Sequence, residues 1–95
     1  MEGYFVYILA GGKKGELYVG MAKNLKWRVS EHKNDLRNGF TKKNKVKKLV
    51  YCEQCDGKES AVLREKQLKK WNNSWKIRLI EKFNPEWKDL YFDLN

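Results

Sequence analysis

The sequence predicts an α+β domain: a three-stranded antiparallel sheet flanked by helices, in the order ββαβααα. Three observations predict it. Two β-rich apolar runs near the start are joined by a glycine-rich connector. Later segments carry apolar residues at helical spacing behind capping residues. A third β-rich run stands alone between two such segments. A chain of 95 residues supports one domain, expected to span residues 1–95. Four Trp, five Tyr and four Phe supply bulky side chains from which so short a chain can build a core.

The first strand is Tyr4-Phe5-Val6-Tyr7-Ile8-Leu9 and the second Leu17-Tyr18-Val19-Gly20-Met21. Between them, Gly11-Gly12-Lys13-Lys14-Gly15 reads as the turn of a hairpin. A hairpin centred between Gly12 and Lys13 sets Tyr7 directly opposite Tyr18, phenol beside phenol. Asn24 can cap a helix over 25–37, with Gly39 just past its end. A lysine-rich loop over 40–48 follows. The third strand covers 49–55 and stops at Asp56-Gly57. A second helix is expected over 58–71. The Asn72-Asn73 break can cap a third over 74–83. Asn84-Pro85 can open a short terminal helix, because proline at the first helical position lacks an N–H that would have no partner anyway.

Lys and Arg number 21 against 12 Asp and Glu, a net charge of +9. That balance points to a polyanionic partner, nucleic acid before an acidic membrane surface, with a merely solvated surface as the plain alternative. No apolar run approaches the roughly 20 residues that span a bilayer. Met1-Glu2-Gly3-Tyr4 lacks the positive start of a secretory signal, so a cytoplasmic setting with reduced cysteines is expected. Cys52-Glu53-Gln54-Cys55 reads as structural. A zinc site needs four ligands, and a redox pair of this spacing would open a helix rather than end a strand.

Several polar residues fall where apolar ones belong. On the first helix Leu25, Val29 and Leu36 form a narrow stripe that contains His32, with Arg28 at its edge. Both are expected to point towards the sheet. An inward arginine is costly unless a carboxylate or a phosphate meets it, so a structural ion pair and a phosphate site stand side by side as readings. His32 is a core histidine with a hydrogen bond or a participant in chemistry. On the second helix Ala61, Leu68 and Trp71 define the apolar side, and Glu65 projects into it. A lone inward carboxylate suits Mg²⁺, which keeps waters and takes one or two protein carboxylates. It equally suits a salt bridge, with Arg28 as a candidate partner. Arg64, Lys66, Lys69, Lys70, Lys76 and Arg78 cluster nearby with Trp71 and Trp75 among them. The cations can neutralise phosphates. The indoles can stack on unpaired bases or simply pack.

Taken together, Tyr7, Tyr18-Val19-Gly20, Arg28, His32 and Glu65 resemble the GIY-YIG endonuclease superfamily. Phe5-Val6-Tyr7 stands where that pattern has Gly-Ile-Tyr, and Tyr18-Val19-Gly20 where it has Tyr-Ile-Gly. The runs continuing through Arg28-Val29-Ser30-Glu31-His32 and Arg64-Glu65-Lys66-Gln67-Leu68-Lys69-Lys70-Trp71 are the more specific part. The likeness is closest to small stand-alone bacterial members. It implies a metal-dependent DNA endonuclease acting in repair or on branched or single-stranded DNA. Glu65 would hold one Mg²⁺ or Mn²⁺, and Tyr18 would act as general base or position the water, with Tyr7 its partner. Arg28 would bind the phosphate and stabilise the transition state, and His32 would orient or relay a proton. Gly20 would allow close backbone approach. Lys23, Lys66, Lys69 and Lys70 would contact the substrate. A nucleic-acid-binding module with the same fold and little cleavage is the alternative, and an adaptor that meets an acidic protein a more distant one. The binding-module reading draws support from a chain too short for the second DNA-binding domain on which larger relatives usually rely for targeting; a protein partner that supplies targeting is a further reading left open.

Overall fold

A computed structural model describes residues 3–11, 16–34 and 47–94. Strands β1 (Tyr4–Gly11) and β2 (Glu16–Ala22) form the expected antiparallel hairpin. Its register differs from the simplest one. Gly11 closes against Glu16, so residues 12–15 separate the closing pair, and Tyr7 lies opposite Gly20 while Leu9 lies opposite Tyr18. The longer connector slides β2 by two residues. Because side chains alternate with a period of two, that slide leaves every residue on its expected face. Tyr7 and Tyr18 become diagonal neighbours instead of direct partners.

Strand β3 (Lys48–Cys55) pairs antiparallel along the other edge of β1, giving the order β2-β1-β3. Its register shifts between Ile8 and Leu9, where Val50 is the extra residue of a bulge. The central strand is covered on both sides. Helix α1 (Leu25–Lys33) lays Leu25 and Val29 on Phe5, Tyr7, Leu9, Ala22 and Leu49. Helices α2 (Lys58–Lys70) and α3 (Asn73–Phe83) cover the other face, where Ala61, Leu68 and Ile80 meet Val6, Ile8, Ala10, Val19 and Val50. Burial on both faces is why β1 reads as an unbroken apolar run.

The caps form as expected. The Oδ1 of Asn24 accepts from the Trp27 N–H at 2.9 Å, and that of Asn72 from Trp75 at 2.9 Å. The first helix, expected to run to 37, ends at Lys33, where Asn34 leaves helical geometry as its C-cap; residues 35–37, Gly39 and nearly all of the lysine-rich loop lie outside the described residues.

The expected terminal helix does not form. Asn84 is buried, and its side-chain amide donates to the Val50 and Lys88 carbonyls at 3.1 and 2.9 Å while accepting from Lys88 N–H at 3.0 Å. Those bonds tie the chain to β3 in a turn, Trp87 takes a φ of 56°, and only a 3₁₀ turn follows at Leu90–Asp93. Asp89 then pins the tail, accepting from the Leu49 N–H and pairing with Lys33. Cys52 and Cys55 are free and face opposite layers, Cys52 towards α1 and Cys55 towards α2, so they cannot act as a pair. Among the described residues, no helix is long and apolar enough to cross a membrane.

Candidate active site

Tyr7 projects from the middle of the sheet beneath α1 and is fully buried. Its hydroxyl lies 3.1 Å from Nε2 of His32, itself buried at one helical turn beyond Arg28. Tyr18 comes from β2 on the same face and is half-buried. The three rings form a closed triangle, with centroids 6.4 Å apart for the two phenols, 6.0 Å for Tyr7 and His32, and 5.1 Å for Tyr18 and His32. His32 is thus a buried, hydrogen-bonded residue that holds the Tyr7 phenol.

Gly20 makes the triangle possible. A Cβ there would lie 2.6 Å from the Tyr7 hydroxyl oxygen, 2.7 Å from Cζ and 3.1 Å from a Tyr18 ring carbon. The close approach that this glycine allows is therefore of the protein's own phenol. Gly20→Ala should destabilise the fold by about 1–3 kcal/mol, the usual cost of overpacking a rigid core. Adding Tyr7→Phe should restore only part of that, because the ring carbon is also too close. Urea unfolding of the three proteins checks it. An unchanged midpoint for Gly20→Ala would show that the sheet yields freely here.

Burial dominates the electrostatics of Tyr7. It pushes the phenol's pKa well above its ordinary value of 10.0, and the neighbouring Tyr18 and the Glu65 carboxylate push the same way while Arg28 opposes them. Tyr7 therefore stays protonated at neutral pH and serves as a hydrogen-bonding group. His32 shifts downwards from 6.5, through burial first and then the Arg28 charge, with Glu31 partly offsetting both. The imidazole is neutral at neutral pH.

Both shifts carry a stability prediction. A histidine with a lowered native pKa binds fewer protons folded than unfolded, so stability is full above about pH 6.5 and declines as pH falls below it. A tyrosine with a raised native pKa does the reverse, and its contribution is lost as pH rises past 10.0. Urea midpoints across pH should fall at both ends, with Tyr7→Phe flattening the alkaline limb. An alkaline limb unchanged in Tyr7→Phe would remove the buried phenol as its cause.

Arg28 sits at the rim, where its side chain is 44% exposed, less inward than its place on the helix suggested. Its Nε lies 3.4 Å from Glu31, not Glu65. Glu31 is a residue that pattern reading passed over, although three residues' spacing on one helix was the available signal. Glu65 arrives from α2, in the layer on the opposite face of the sheet, yet its charge reaches Tyr7. Its carboxylate is 20% exposed and pairs at 3.2 Å with Lys69, which is 54% exposed.

The other basic residues divide. The Lys23 ammonium lies 5.9 Å over the ring of Tyr4, which packs against the core on the other face of the sheet. Lys66 and Lys70 are exposed on α2, with no ion pair among the described residues. Arg64 is not a free cation. It bonds both oxygens of Glu53 and covers Trp71.

Glu65 is the carboxylate that could hold a metal. Among the described residues no three His, Cys, Asp or Glu side chains gather around one point. One accessible hard oxygen donor fits Mg²⁺ or Mn²⁺ completed by waters and substrate phosphate, and does not fit a metal caged by protein alone.

A family model described as the GIY-YIG catalytic domain matches residues 3–78. A UPF0213 protein of Staphylococcus saprophyticus is 35% identical over 80 residues, covering 84% of this chain and 96% of the relative. A UPF0213 protein of Staphylococcus aureus strain Mu3 is 36% identical over 81 residues, covering 85% and 98%. No solved structure matches the chain.

Proposed function

The chain belongs to the GIY-YIG family, a nuclease superfamily whose members generally depend on divalent metal, and from that premise we propose that it is a Mg²⁺- or Mn²⁺-dependent DNA endonuclease. The observation that carries this reading is the convergence on Tyr7. Arg28 from one layer and Glu65 from the other both act on that single buried phenol, with Tyr18 and His32 beside it. A cation, a carboxylate and a half-exposed phenol whose fields or rings meet at Tyr7 are residue types suited to phosphodiester hydrolysis.

The residues divide the work. Glu65 would hold the ion, which when bound polarises phosphate oxygens and lowers the pKa of water. Arg28 offers a planar, permanently charged fork to the phosphate and to the charge that grows on it during attack. Tyr18, the more accessible phenol, positions the attacking water or takes its proton. Tyr7 and His32 lock each other, and so lock the floor against which Tyr18 stands. Lys66, Lys69 and Lys70 supply phosphate contacts along α2, and the substrates lie among the single-stranded or branched DNA met in repair.

Incubation with supercoiled plasmid and with single-stranded DNA is the direct test. Nicking is expected with Mg²⁺ or Mn²⁺ and none with EDTA. Tight DNA binding without nicking under every divalent ion would instead make the chain a binding module.

A further inference from the structure

We propose that the cleft between α2 and α3 built on Trp71 and Trp75 is a second nucleic-acid subsite, which stacks one unpaired base on Trp75 and holds the adjoining phosphates with Arg78 and Lys82. The proposal rests on the nucleic-acid reading of the site above and names a surface which that reading does not use.

Three residues of α3 make one exposed face. Trp75, Arg78 and Lys82 recur at the spacing of successive helical turns, and with Trp71 and Leu79, which also pack against the core, they line an open cleft. Trp75 is 50% exposed. The opposite face of α3 is the one that buries Ile80, so core packing does not require an indole here.

The platform is held rigid from behind. Trp71, at the end of α2, meets Trp75 edge to face at 5.7 Å with the planes at 82°. Arg64 covers Trp71 at 5.4 Å from the ring centre. Arg64 is in turn fixed by both oxygens of Glu53, at 3.2 and 3.1 Å, and by Gln67 at 2.6 Å. A stacking surface already ordered in the free protein loses little freedom when a base lands on it.

Charge selects the occupant. Arg78 and Lys82 enter no ion pair among the described residues, and neither does Lys70, which lies just before Trp71 at the end of α2. A half-exposed indole flanked by unneutralised cations matches a polyanion with flat apolar faces, which is single-stranded nucleic acid. Paired bases keep their faces inside the duplex. Glu65 precedes Trp71 by six residues on α2, about 9 Å of helix axis at about 1.5 Å per residue.

The test uses the whole chain in EDTA, where cleavage cannot interfere. The probes are a short oligodeoxythymidylate and a blunt hairpin duplex of equal nucleotide count. Thymidylate should quench indole fluorescence, and Trp75→Ala should weaken its binding roughly ten-fold while duplex affinity changes by less than about two-fold. Trp75→Phe should keep most of the affinity, and Trp75→Leu, which retains apolar bulk without a π-face, should lose it. The leucine variant carries the test if the alanine variant fails to fold. Thymidylate affinity unchanged in Trp75→Leu, or lost equally for the duplex, overturns the proposal. So does polyglutamate that quenches and competes as well as DNA, which would assign the cleft to an acidic protein. A chain that binds thymidylate through Trp75 yet never nicks DNA keeps this subsite and loses the nuclease reading. Nicking with no role for Trp75 does the opposite.

Discussion

Glu65→Ala is expected to lower plasmid nicking by roughly a thousand-fold, with the unfolding midpoint nearly unchanged. The magnitude follows from what one carboxylate does in this site. Its charge is felt at Tyr7, and no cluster of carboxylates stands behind it among the described residues. Without it an ion is held by substrate and water alone, and the several kcal/mol of charge stabilisation that a fixed ion supplies are lost. Stability is largely spared because Glu65 pairs with a half-exposed Lys69 one turn along the same helix, a solvent-screened contact that contributes little. Glu65→Gln should fail as completely, since an amide oxygen carries no charge to hold the ion. Single-turnover nicking beside urea unfolding measures both quantities. Equal nicking by wild type and Glu65→Ala would mean that the activity belongs to another protein.

Arg28→Ala comes second, with turnover expected to fall by roughly a hundred- to a thousand-fold and DNA affinity by no more than about three-fold. The split arises because many lysines share ground-state phosphate contacts, whereas a guanidinium at the rim of the phenol triangle meets the charge that develops only during attack. Arg28→Lys should recover a small part of the rate, because an ammonium keeps the charge and loses the planar fork. The substitution has one structural side effect to separate. Glu31 is buried and loses its 3.4 Å cation, so some loss of stability is expected with alanine and less with lysine. Cleavage left intact with binding strongly weakened would reassign Arg28 to substrate capture.

Much of the architecture was legible before any coordinates. Asn24 and Asn72 are caps at the positions where asparagine before an apolar-periodic segment predicts them. The three strands fall within a few residues of their expected limits. Those features depend on local chemistry, on which side-chain oxygen can reach which N–H and on how apolar residues alternate. The departures have a different origin. The hairpin register slid by two because a connector of glycines and lysines does not encode where pairing resumes. The terminal helix gave way because Asn84 bonds to Val50, a residue of the third strand with two helices between them in the chain. Arg28 took Glu31 as its carboxylate when Glu65 was equally open to it by composition.

By itself the sequence determined which residues share a face, which ones carry charge and which chemistry they could join. Only tertiary packing decided that Tyr7 would be sealed from water, bonded to His32 and left protonated, with Tyr18 the phenol nearer solvent. Local spacing sets direction along a strand or helix, but burial and the reach of a charge depend on what other layers bring up against it, and here those layers come from opposite faces of one thin sheet.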